Sequence, residues 1–287
     1  MNDKKKGLLI DAAIYAVAFG IGLIPFVFIE HMFISTAVLT AAATAVIFVF
    51  SVIFSDVSVY DPYWSVAPVV MLLACMVKYR LWNVNAFILL GLICLWSVRL
   101  TANWYAVYPG LGREDWRYAA YRIKCSPALF QFISLTGFHF VPTAVVYGGM
   151  TGAFLAAREP EFCPLSVFGI AVMAGGILLE YVSDTSIHRF LREHRGERRT
   201  CDTSVWKYSR HPNYLGEMTF WTGLYLYFAT CAPDKWYLGL GFLTIILLFL
   251  FVSIPMMEKH NSERRADYAE YKKRTSPLLL LPPKKRL

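Results

Sequence analysis

In Lys207-Tyr208-Ser209-Arg210-His211-Pro212-Asn213-Tyr214-Leu215-Gly216-Glu217, eight polar or ionisable side chains stand in eleven residues at the mouth of an apolar run. Pro212 sits where a helix would begin, a position that tolerates its missing N–H. Arg210 and His211 then lie near the positive end of the helix dipole, and Asn213 and Glu217, four apart, share one face. A carboxylate inside a membrane helix is expensive, so Glu217 must face the bundle interior and find a partner. Glu180 and Asp184, one turn apart, close an earlier apolar run, and His188, Arg189, Arg192, Arg195, Arg198 and Arg199 follow. Guanidinium groups suit phosphate oxygens geometrically. An arginine run beside a membrane equally serves as a topological anchor or a site for anionic lipid, and composition leaves these readings open. Neither common glycine-rich nucleotide loop occurs, so a nucleotide would bind in a pocket built by helices and their inner loops.

The elements that must position these residues are apolar runs. Of 287 residues, 57% are hydrophobic and 17% charged, and the mean hydropathy is +0.46. A soluble domain carries about 25% charged residues, so lipid is the solvent for much of this surface. A transmembrane helix needs about 20 largely apolar residues. The patterning predicts spans at 7–29, 34–54, 63–79, 84–104, 129–156, 165–183, 213–231 and 236–256. The third is short and carries Pro68, which a bilayer helix tolerates when neighbours re-satisfy the freed carbonyl. The fifth is long, and either tilts or begins with an interfacial turn near Pro142. The expected class is all-α, a multi-pass transmembrane bundle of seven or eight helices. No linker or internal repeat divides it, so 1–287 reads as a single integral membrane domain.

An N-terminus on the inside places 1–6, 55–62, 105–128, 184–212 and 257–287 on one side, and these segments hold 23 of the 28 Lys and Arg. That bias marks cytoplasmic loops, so both termini are expected in the cytoplasm. The net charge of +8 has the same origin and argues no nucleic-acid partner. Lys4-Lys5-Lys6 with the apolar run to Ile29 reads as a retained signal anchor. Segments 114–122 and 263–274 set aromatic and charged groups at helical spacing, as interfacial amphipathic helices do, and a direct role in binding stays equally open. The six cysteines form no CxxC pair and no metal-ligand spacing. Cys163 and Cys231 could share the outer side, which leaves a disulfide open.

Glu180-x-x-x-Asp184, the stretch Trp206-x-Tyr208 to Glu217, and Trp221 resemble the C-terminal region of the steroid 5-alpha-reductase-like proteins, and more narrowly the DUF1295 branch. Ile254-Pro255, Glu258, Tyr268-x-x-Tyr271 and Thr275-Ser276 are similar to that branch, as are Asp61-Pro62-Tyr63-Trp64 and Arg113-Glu114-Asp115-x-Arg117-Tyr118. The resemblance makes 55–287 a reductase-like core preceded by two transmembrane helices within 1–54. It implies an NADPH-dependent oxidoreductase acting on a CH–CH group. The substrate would be a lipid-soluble small molecule, a sterol-like, polyprenoid or fatty enone whose C=C bond is conjugated to a carbonyl. The NADPH pocket would lie on the cytoplasmic side of a bacterial cytoplasmic membrane, or of the endoplasmic reticulum in a eukaryote. Carried over, Glu180, Asp184, Arg192, Tyr208, Arg210, His211, Asn213, Tyr214, Glu217 and His260 would contact the cofactor, with no metal.

Such a reduction needs an acid near the carbonyl oxygen, where charge accumulates as hydride arrives. The resemblance implies an early carboxylate in that role; here it would be Asp61, with Tyr63 or Tyr60 beside it in a differing local sequence and Asp56 a rival, unless Asp61-Pro62 simply caps the third helix. The chain departs from the family at Trp96, which stands where a proton-donating tyrosine is expected, three residues before Arg99. Isoprenylcysteine carboxyl methyltransferases resemble the chain at Arg210-His211-Pro212-x-Tyr214-x-Gly216, which makes an S-adenosylmethionine-dependent membrane methyltransferase the alternative. A lipid-binding or scaffolding bundle that has lost the chemistry is a third reading.

Overall fold

The computed structural model describes residues 3–284; residues 1–2 and 285–287, counted above into the basic inner ends, lie outside the described residues. No β-strand occurs among the described residues, and seven helical runs there are long and apolar enough to cross a membrane. The helices form two compact units, divided between Phe162 and Cys163.

The first unit contains α1 (Asp3–Phe28), α2 (Met32–Phe54), α3 (Tyr63–Tyr79), α4 (Val84–Val107), α5 (Trp116–Lys124), α6 (Pro127–Ile133) and α7 (Val141–Ala156). A Cβ on Gly22 would sit 2.5 Å from the Leu39 carbonyl, so only glycine lets α1 and α2 approach this closely. Along α2, Ser35, Thr36, Thr40 and Ser51 donate to carbonyls three or four residues back. Buried away from water, these hydroxyls are satisfied by their own helix, and Ser35 also by the Tyr79 hydroxyl at 2.8 Å. Exposed helix ends are closed by long side chains. Lys78 Nζ donates to the Phe26 and Ile29 carbonyls at 2.5 Å each. Asn83 and Asn85 donate to the carbonyls of Ala157, Glu159 and Glu161 beyond α7.

A π-helical stretch, Ser134–Phe140, joins α6 to α7 immediately before Val141-Pro142. A second, Phe249–Ser253, precedes Ile254-Pro255 in the other unit. The proline ring displaces the carbonyl four residues back, and the wider turn absorbs the mismatch without ending the helix. The fifth span therefore runs as one helical path over Pro127–Ala156, with no interfacial turn at Pro142.

The second unit contains α8 (Ser166–Glu193), α9 (Pro212–Cys231), α10 (Phe242–Leu248), α11 (Ile254–Arg264) and α12 (Tyr268–Arg274). The α8–α9 pair is its spine. A Cβ at Gly169, Gly176 or Gly223 would fall 2.5–2.6 Å from the backbone of Tyr227, Phe220 or Met173 respectively, and one at Gly216 would collide with the Glu180 side chain. Ser166 Oγ meets Thr230 Oγ1 at 2.9 Å in the same register. Each step forward along α8 matches an equal step back along α9, so the helices are antiparallel over about 21 Å. Small residues permit such contact between membrane helices. All eight predicted helices are present, but α9 is the one outside the seven apolar runs. Asn213, Glu217, Thr219, Thr222 and Thr230 lower its hydropathy. All six cysteines are free; Cys231 Sγ lies 3.1 Å from Ser166 Oγ.

Candidate functional site

In the second unit the signature stretch runs into α9, and α12 folds back against the last turns of α11. A carboxylate joins them. Glu258 Oε1 accepts from His211 Nε2 at 3.0 Å and from the Tyr268 hydroxyl at 2.8 Å, and lies 3.2 Å from Arg210 Nε. Lys272 Nζ reaches Oε2 at 3.0 Å. The side chains of Glu258, Arg210 and His211 are 12%, 8% and 5% exposed, so this is an enclosed node rather than a surface ion pair. Burial, then the hydrogen bond to Glu258, raises the Tyr268 phenol above its ordinary range, so it remains a donor.

The loop before α9 is held on several sides. Trp206 Nε1 donates to the Ser183 carbonyl at 3.0 Å, tying the loop to α8. The Tyr271 hydroxyl donates to the Trp206 carbonyl at 2.6 Å. Arg210 N–H donates to the Ser276 carbonyl at 2.9 Å, and Ser209 Oγ to the Leu278 carbonyl at 2.6 Å. Arg210 is thus fixed at both backbone and head, its Nη1 also donating to the Lys272 carbonyl at 3.2 Å.

The residues singled out in the sequence divide by position. Arg210 and His211 belong to the node, and Tyr214 lies parallel to the His211 ring at 5.4 Å between centroids. Asn213 follows on the first turn of α9, half-buried. Glu180, Asp184 and Glu217 are buried at the same end of the α8–α9 pair. Glu180 packs on Gly216, and Glu217 accepts from Trp221 Nε1 at 3.0 Å. Tyr208 is 40% exposed and Arg192 stands exposed on the last turn of α8. His260, two residues beyond Glu258, is rotated about 200° from it around the helix and lies 3.2 Å from Arg264. Segment 263–274 is not one interfacial helix: α11 ends at Arg264, and Tyr268 and Tyr271 turn inward, 2% and 3% exposed. The sequence sets Tyr268 and Tyr271 three apart on one face and leaves an interfacial and a binding role equally open; it does not single out Lys272.

The first unit holds a second carboxylate cluster. Asp61 Oδ1 accepts from the Tyr118 hydroxyl at 2.6 Å and lies 3.6 Å from Arg117 Nη2. Burial, then the Asp61 carboxylate, keeps the Tyr118 phenol well above its ordinary range. Asp61 does not cap α3, whose first turn has no side-chain cap. The rival Asp56 is a structural anchor: it accepts from the backbone N–H groups of Ser58 at 2.9 Å and Gly112 at 2.7 Å. Tyr63 is 1% exposed and donates to the Thr40 carbonyl at 3.1 Å. Trp96 is fully buried. Tyr118, the partner Asp61 uses, lies in the segment read from sequence as interfacial.

The DUF1295 family model, described as a protein of unknown function, matches residues 47–275. No curated protein and no solved structure matches the chain. The match takes in both carboxylate clusters and all but the last strap of the second unit; the chain belongs to the DUF1295 family.

Proposed function

We propose that this chain is a membrane-embedded reductase that uses NADPH to saturate a C=C bond conjugated to a carbonyl in a lipid-soluble substrate. The observation that carries the reading is the Glu258 node: one carboxylate shared by Arg210, Lys272 and His211. Two permanent cations on a single carboxylate leave a positive surplus, which fits a pyrophosphate. The buried carboxylates Glu180, Asp184 and Glu217 are acceptors of the kind that ribose hydroxyls and a nicotinamide amide require. The kinship of DUF1295 with steroid 5-alpha-reductase-like proteins supports an enzyme, and the seven apolar helices suit a substrate dissolved in the bilayer.

When bound, the dinucleotide supplies the hydride. Glu258 orients Arg210 and Lys272 toward the anion, and Tyr271 and the residue 276–278 strap fix the loop that carries Arg210. Within the first unit taken by itself, the Asp61–Tyr118 pair is the candidate proton donor. Tyr118 and Arg117 hold the carboxyl, and burial keeps the phenol protonated. Tyr63, committed to a backbone carbonyl, positions α3 instead.

The deciding experiment is thermal unfolding of the detergent-solubilised protein with NADPH, NADH or S-adenosylmethionine. A ligand present at 100 times its Kd stabilises the folded state by about 2.7 kcal/mol. NADPH is expected to raise the Tm, and Arg210→Gln to abolish the shift. A shift with S-adenosylmethionine alone would replace the reductase with a methyltransferase.

A further inference from the structure

The segment after α12 is a strap that returns along the second unit. Arg210 N–H to Ser276 O, Leu281 N–H to Tyr208 O at 3.2 Å and Lys284 N–H to Arg274 O at 2.9 Å hold it in place. A three-residue turn, Leu281 N–H to Leu279 O at 2.9 Å, interrupts the extended path and projects its leucines. Leu279, Leu280 and Leu281 are 57%, 44% and 50% exposed, although they sit in a backbone-bonded segment. Exposed lysines lie on the strap and on the segments it pairs with: Lys207, next to the Tyr208 that pairs with Leu281, Lys273, next to the Arg274 that pairs with Lys284, and Lys284 itself. Arg274 is bound to Asp202, so it belongs to the fold and not to this rim.

The strap also sits at a definite depth. Tyr268 and Lys272 of α12 reach Glu258, which lies six residues, or about 9 Å, inside the end of α11. α11 ends the apolar run Pro233–Arg264, and the loop that the strap pairs with leads directly into α9. Three exposed leucines with exposed lysines on the same and the paired segments, at the ends of membrane helices, have the composition of an interfacial anchor. Lysines at that level meet headgroup phosphates, and the strength of the contact follows the negative surface charge of the leaflet.

We infer that the strap is an interfacial clamp for an anionic membrane surface, in which Leu279, Leu280 and Leu281 enter the headgroup–acyl boundary while Lys207, Lys273 and Lys284 engage lipid phosphates. Ser276 and Leu278 bind Arg210 and Ser209, so the clamped strap holds the node's arginine. This coupling stands whether or not the node binds a dinucleotide.

The test is amide hydrogen exchange of the full chain in nanodiscs of phosphatidylcholine alone or with phosphatidylglycerol. Amides of Arg210, Leu281 and Lys284 are expected to exchange about tenfold more slowly in the anionic discs. Replacing the lysines together (Lys207→Gln, Lys273→Gln, Lys284→Gln) should erase the difference with the leucines intact. Replacing the leucines together (Leu279→Ser, Leu280→Ser, Leu281→Ser) should give fast exchange in both discs. Equal exchange of the parent in the two lipids overturns the clamp. So does a lipid effect that survives the lysine replacement, or one reproduced by free inorganic phosphate in phosphatidylcholine discs.

Discussion

Asp61 and Glu258 are alike in their partners and opposite in their surroundings. Each carboxylate accepts from a tyrosine hydroxyl and stands near an arginine. Around Asp61, Arg117 is shared with Asp115 at 2.7 Å, and Arg122 is taken by Glu114 at 2.6 Å. Acids outnumber bases there once Asp56 is counted. Around Glu258, Arg210, Lys272 and His211 compete for one carboxylate. The first arrangement is rich in hydrogen-bond acceptors and the second in cations, so the second suits an anionic ligand. The same trio of residue types therefore serves different chemistry, and the count of neighbouring charges decides which.

The largest effect should come from Glu258→Ala. It strands Arg210 in an enclosed site, and breaking a buried ion pair from one side costs about 3–5 kcal/mol. Asp61→Ala removes a carboxylate whose arginine keeps Asp115 but leaves the Tyr118 hydroxyl without its acceptor, so about 1.5–3 kcal/mol is expected, the cost of one hydrogen bond to a charged group. Unfolding in detergent compares them directly. Equal losses would mean that the charge imbalance does not set the stability of the two clusters.

Gly216→Ala attacks the node through its support. The new Cβ would collide with the Glu180 side chain and the Gly176 carbonyl, and overpacking of this kind costs about 1–3 kcal/mol. The expected result is a lower Tm with weakened nucleotide binding, because α9 begins beside Arg210. Preserved binding with a lowered Tm would separate the helix seam from the node.

The elements were legible where lipid enforces a simple rule. Apolar runs of membrane length marked every large helix, whereas the π turns before Pro142 and Pro255 were not read from the sequence. Arg210, His211 and Glu217 were legible because polar groups at the head of an apolar helix are costly without a purpose. The pairings were not legible. Tyr118 meets Asp61 across 57 residues and His211 meets Glu258 across 47, and local spacing carries no record of such contacts. The partner of Tyr63, the Thr40 carbonyl 23 residues earlier, is unrecorded for the same reason.

Tyr118→Phe tests the proton assignment with a smaller effect on stability. It removes one hydrogen bond to a carboxylate, about 1.5 kcal/mol, and Asp61→Asn should add little more if the two act together. Both variants are expected to keep the NADPH-induced Tm shift and lose turnover, whereas Tyr63→Phe should retain turnover. Turnover that survives in Tyr118→Phe would take the phenol out of the reaction.

The smallest effect separates the node from the more exposed ties around it. Asp267 accepts from Thr200 N–H at 2.8 Å and Thr200 Oγ1 at 2.6 Å. Burial pushes its carboxyl up, but these bonds outweigh burial and hold it below its usual value of 3.8. A carboxylate depressed by folding contributes stability that is present above its unfolded pKa and lost as pH falls through the lower folded one. Thr200 amide protection should therefore stay flat from pH 7 to 5 and decline only below about pH 4, the ordinary aspartate range. In Asp267→Asn the acid-side decline should vanish while the Glu258 node keeps its own protection at Arg210. Loss of Thr200 protection already between pH 7 and 5 would mean that a group other than Asp267 governs its acid response.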